Sequence, residues 1–209
     1  MIKKFFKIII FLLSLIFIYF YGRGFINLFS KINFNSQYQR YFFVSFGAST
    51  IILYLFLRAN SFIAILEHEF THILWGLLFF KKPKGLMVNE RGGEVLQTGS
   101  NFLITLAPYF SLTFSFIFLL LILIINREYY LWFYIILGIL TGYHTSSKVK
   151  ELHPKQTDIK KSGYIFSIAV IVLGNILSYG LLFSFILGGF DNMWLFLKKG
   201  MISLYTLLL

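Results

Sequence analysis

The chain has no cysteine, only three prolines and only eight acidic residues among 209. The lack of cysteine excludes disulfides, thiolate nucleophiles and Cys-ligated zinc or iron–sulfur sites. Charge of either sign is scarce, at 13% of residues against about 25% in soluble domains. In its place stand 58% hydrophobic and 21% aromatic residues. A soluble core of this length could not hide so much apolar surface. The composition therefore predicts a polytopic, all-α membrane protein and excludes a soluble enzyme, a disordered tail and a collagen-like chain.

The net charge of +11 does not form one basic patch. Lys3, Lys4 and Lys7, then Lys81, Lys82 and Lys84, then Lys148 to Lys161 lie between apolar runs. Membrane proteins place charge this way, at the level of the lipid headgroups. The expected partner is the bilayer, with no nucleic acid.

A membrane-crossing helix needs about 20 mostly apolar residues. Six stretches qualify, at 5–20, 41–57, 61–80, 102–125, 129–147 and 163–188. A seventh, 192–209, is interrupted by Lys198 and Lys199 and reads as an interfacial or terminal spanning helix. The first run lacks a small-x-small cleavage site and reads as an uncleaved anchor. These segments divide one membrane domain into N-terminal accessory helices (1–60), a core (61–188) and a C-terminal helix (189–209). With six crossings, segments 21–40, 81–100 and 148–162 share one side and carry 12 Lys and Arg against 7 on the other. The positive-inside rule then makes that side cytoplasmic. Between the third and fourth stretches, Leu86–Val88 and Val95–Gln97 flank Asn89-Glu-Arg-Gly-Gly93, which predicts a β-hairpin. Gly138-Ile-Leu-Thr-Gly142 has the spacing of close helix packing.

The third stretch holds His68-Glu69-Phe70-Thr71-His72, an HExxH zinc motif. On a helix, i and i+4 share a face, so both imidazoles reach one metal ion, with Glu69 beside them as general base. With four His and six Glu in the chain, random placement gives about 0.002 such matches. The motif also falls mid-span, where a charged residue costs about 2.5–3.5 kcal/mol, so ionisable groups there usually have a function. Catalytic zinc needs three protein ligands. The pool for the third is small: Asp158, His144, His153 and Asp191. Asp158 is favoured and His144 is second. An alternative use for Asp158 is as a helix N-cap.

In this order the motifs resemble the site-2 protease family of intramembrane zinc metalloproteases. The resemblance covers about residues 61–188. It rests on His68-Glu69-Phe70-Thr71-His72, on Gly92-Gly93-Glu94-Val95 in the hairpin, on Leu106-Ala107-Pro108 in the fourth stretch, and on the later Asp158. It implies Zn2+ as cofactor, Asp158 as third ligand and Glu69 as catalytic base. Asn101 and Asn175 become candidates for positioning substrate or oxyanion. Asp158 is followed here by Ile159, where the family has Gly. The activity implied is hydrolysis of membrane-spanning or membrane-associated protein and peptide substrates, in a bacterial inner membrane, with regulation from a membrane partner. The hairpin at 86–97 would accept substrate as an added strand. The competing expectations are a metal-binding or ion-translocating membrane protein and a catalytically silent client-binding relative.

Overall fold

The computed structural model describes residues 2–56, 61–89, 92–153 and 156–208. Arg58, Glu90, Arg91 and Lys155 lie outside them. The described residues form eight α-helices and one two-stranded sheet. The helices are α1 (Ile2–Phe29), α2 (Gln37–Phe56), α3 (Phe62–Leu78), α4 (Phe102–Leu106), α5 (Thr113–Leu119), α6 (Tyr130–Glu151), α7 (Thr157–Ser162) and α8 (Tyr164–Leu208). The hairpin of β1 (Pro83–Asn89) and β2 (Gly92–Gln97) falls where the sequence places it, antiparallel, with Leu86 opposite Val95 and Val88 opposite Gly93.

Two long helices run side by side in the same direction. Lys7 sits over the Phe166 ring at 4.9 Å, Gly22 faces Ile176, and Phe25 stacks on Phe183 at 5.8 Å. α2 and α6 are a second parallel pair. Gly138 and Gly142 face the α2 backbone at Phe42 and Phe46, and Ser146 Oγ donates to the Thr50 carbonyl at 2.8 Å. The GxxxG spacing therefore serves close packing: a Cβ at either glycine would collide with α2 main chain. Between the pairs lies a core of Phe42, Leu112, Phe133, Leu137, Leu182 and Phe183. A second cluster of Leu106, Tyr109, Phe110, Ile159, Phe166 and Val170 lies where α4, α7 and α8 meet.

Two findings correct the expected topology. Among the described residues two helices are long and apolar enough to cross a membrane, Lys4–Phe29 and Tyr164–Ile202, or three if the pair Phe102–Tyr109 and Thr113–Leu123, bent by 83°, forms one span. Six were expected. The shortfall has local causes. α3 has 17 residues, about 26 Å at 1.5 Å per residue, less than a hydrocarbon core of about 30 Å. α6 ends in the polar run Thr141-Gly-Tyr-His-Thr-Ser-Ser-Lys148. The 192–209 segment is the second half of α8, which breaks at Gly188 and Gly189.

The second correction concerns the ends. Phe6, Lys7 and Ile10 share a cavity with Ser100, Asn101, Lys161 and Ser162. The lysine-rich N-terminus therefore lies at the same end as the 81–100 and 148–162 segments. The 21–40 segment is at the other end, with Phe29 against Phe183 and Tyr38 against Tyr130 and Tyr134.

Candidate metal centre

α3 begins at Ser61, whose Oγ accepts from the Ala64 N–H at 3.3 Å. One turn apart on this helix, the His68 and His72 rings stand edge to face with centroids 4.9 Å apart. Each Nδ1 has its own acceptor. His72 Nδ1 donates to the Ile104 carbonyl at 2.8 Å, and His68 Nδ1 to Glu151 Oε2 at 3.3 Å. Such bonds fix the tautomer and turn Nε2 toward a metal.

Both Nε2 atoms converge on one oxygen. Asp158 Oδ2 is 3.3 Å from His68 Nε2 and 3.4 Å from His72 Nε2. The three ligand atoms lie within 4.8 Å of one another, so His68, His72 and Asp158 could hold a metal ion. The spacing suits one: bonds of about 2.0–2.1 Å to a tetrahedral ion place its donors roughly 3.3–3.4 Å apart. Two imidazoles and a carboxylate so arranged require positive charge between them, as protons or as a cation. Burial works to raise the Asp158 pKa, but the hydrogen bonds from the two histidines outweigh it and hold the carboxyl well below the usual range. Asp158 sits in the first turn of α7, whose N-cap is Gln156, so the capping use does not apply.

The group opens into a groove of about 690 Å³. Glu69 lines it, and so does every residue of β2 from Gly92 to Gln97. β2 comes down on Glu69 at Gly93, where a Cβ would strike Glu69 Cγ and Ile65 Cγ2. Only glycine permits that approach.

The other named candidates lie elsewhere. His144 is on the far side of α3, fully buried, with Nδ1 3.0 Å from Glu67 Oε1. The metal group among the described residues includes neither it nor His153 nor Asp191. Asn101 caps α4, its Oδ1 accepting from the Ile104 N–H at 2.9 Å. Asn175 Nδ2 donates to the Tyr109 carbonyl at 3.0 Å and the Ile171 carbonyl at 2.9 Å. Neither asparagine lines the groove. Both instead brace the segment whose Ile104 carbonyl orients His72.

Three contributors escape the sequence reading. Glu151 orients His68 and is itself held by Lys148, whose Nζ donates to Oε2 at 2.7 Å. The i,i+3 pairing of a buried Lys with a Glu was the only available signal. Tyr109 is buried, its ring perpendicular to His68 at 5.4 Å. Gly93 is the third. Removing a carboxylate that orients a ligating histidine typically costs 10–100-fold in metal affinity. Glu151→Gln should raise the zinc Kd by about that factor, measured by competition with a chromophoric chelator; an unchanged Kd would remove Glu151 from the site.

Compared with family models, with curated proteins and with solved structures, the chain finds no match. The site's chemistry therefore rests on its own geometry.

Proposed function

We propose that this chain is a zinc-dependent intramembrane endopeptidase of the site-2 protease type. One observation carries the reading: the HExxH histidines and Asp158 meet at metal-ligand spacing in a groove that Glu69 and the whole length of β2 also line. Zinc held by His68, His72 and Asp158 would supply Lewis acidity, polarising the scissile carbonyl and acidifying water. Glu69 takes the proton of the attacking water and returns it to the leaving amine. Glu151 and the Ile104 carbonyl hold the imidazoles in register.

A transmembrane substrate hides its amides in helical hydrogen bonds and must unwind before it is cut. β1 occupies one edge of β2, while residues 92–97 border the groove. The substrate lies along the other edge of β2 as a third strand, so the amides freed by unwinding find new partners. Lys4, Lys7, Lys81, Lys82, Lys84, Lys148, Lys150, Lys160 and Lys161 belong to the metal-site end, against Arg23, Lys31, Arg40, Arg127, Lys198 and Lys199 at the other. The positive-inside rule places the metal-site end in the cytoplasm. In this reading α2, α3 and α6 complete a multi-pass bundle around the two long helices.

The test is cleavage of a panel of single-span reporter peptides co-reconstituted with the protein in liposomes. Cleavage should stop when a chelator strips the metal and return with stoichiometric zinc. Cleavage that survives metal removal would contradict the proposal.

A further inference from the structure

The break in α8 forms a second site. Gly188 (φ −175°, ψ 31°) and Gly189 (φ 71°, ψ −160°) reverse the helix. The positive φ at Gly189 is a conformation that other residues adopt only with strain. The returning half brings Phe196 against Gly180 and Gly24, and Gly200 against Tyr21. Tyr21 fastens it, its hydroxyl donating to the Leu197 carbonyl at 3.0 Å.

A cavity of about 670 Å³ remains between α1 and the two halves of α8. It lies at the end away from the metal group, because α1 runs from Lys7 near the metal end to Phe29 near this one, with Lys31 just beyond. Three cations border it, Arg23, Lys31 and Lys199, and no carboxylate is among its lining residues. Arg23 is already positioned: Nη1 donates to the Tyr19 hydroxyl at 3.2 Å and the guanidinium lies over that ring at 5.7 Å. Deeper in, Ser184 lines the cavity at 1% exposure, with its hydroxyl lacking a partner among the described residues. A buried, unpaired hydroxyl costs free energy unless something fills its hydrogen bond. Phe20, Leu28, Leu187 and Phe196 supply an apolar part of the wall, and Asn27, Ser30 and Asn192 add polar side chains to the lining.

We propose that this cavity binds a phosphate-bearing anion, the headgroup of an anionic phospholipid. Lys31, Lys199 and Arg23 meet the phosphate, Ser184 a polar headgroup or glycerol oxygen, and the apolar wall the start of an acyl chain. Lysines that merely reach for the membrane surface need neither a cavity nor an unpaired hydroxyl inside it. Both helices that frame the cavity are long and apolar enough to cross a membrane, so lipid is the molecule at hand.

Native mass spectrometry of the purified full chain in detergent tests this with two lipids, phosphatidylglycerol and phosphatidylcholine of equal acyl length, and with inorganic phosphate alone. Wild type should retain phosphatidylglycerol about tenfold more tightly than phosphatidylcholine. The double variant Lys31→Gln/Lys199→Gln should lose that preference, with its lipid-free Tm and metal content unchanged. Ser184→Ala should weaken phosphatidylglycerol retention alone. Equal retention of the two lipids by wild type, or an undiminished preference in the double variant, would overturn the site. If inorganic phosphate displaces phosphatidylglycerol at millimolar concentration and binds alone, the anion site stands and the lipid assignment falls.

Discussion

Glu69→Gln should abolish peptide hydrolysis and leave the metal in place. Glu69 lines the groove beside His68 but is not one of the three ligands. The amide fills nearly the same space under Gly93, so packing is preserved and only basicity is lost. A positioned general base contributes about 10²–10⁴-fold, and in the proposed reaction Glu69 would serve in both proton transfers. The rate should fall by at least the upper end of that range in the reconstituted reporter assay, with zinc per chain and Tm at wild-type values. Residual activity within tenfold of wild type would show that another group takes the proton.

Gly93→Val should also cost activity, by a smaller factor and through geometry alone. A Cβ at this position would lie closer than 3.0 Å to Glu69 Cγ, Glu69 Oε1 and Ile65 Cγ2. Such contacts force either the strand or the base to move. A displacement of about 1 Å in a catalytic constellation costs on the order of 100-fold in rate. The strand edge that would receive substrate shifts with it. Gly85→Ala on β1 is the matched control, since its Cβ would only touch Leu96 Cδ1 at 3.8 Å. Rates for the two variants, with metal content measured alongside, separate the contact on Glu69 from a general weakening of the hairpin. Equal rates would mean that Gly93 has no special part.

The ligand group was legible in the sequence because metal binding dictates spacing. His68 and His72 must be one turn apart, and with no cysteine the remaining donors were few. The groups that orient them obey no such rule. Glu151 reaches His68 from the end of α6, and Ile104 contributes a main-chain carbonyl, which no residue pattern announces. The span count failed because the apolar runs and the helices do not share bounds: α3 stops at 17 residues, α2 opens on the polar run Gln37-Tyr-Gln-Arg40, and α6 ends in one. The N-terminal lysines looked misplaced only while 21–40 was grouped with the metal-site loops; the pairing of Lys7 with Phe166 removes that conflict. The adjacent glycines at 188 and 189 did mark the end of the sixth stretch, but their reversal depends on Phe196 finding room at Gly180, a contact across sixteen residues.

His68, His72 and Asp158 are expected to form one zinc site. The most direct test is the zinc content of the purified chain, by inductively coupled plasma mass spectrometry, for wild type, His68→Ala, Asp158→Ala and His144→Gln. His144 takes the conservative change because removing it outright would leave Glu67 buried without its partner. The account predicts about one zinc per chain in wild type and His144→Gln, and none in His68→Ala or Asp158→Ala. Zinc retained by Asp158→Ala and lost from His144→Gln, or a wild-type chain that holds no zinc when zinc is supplied, would contradict it.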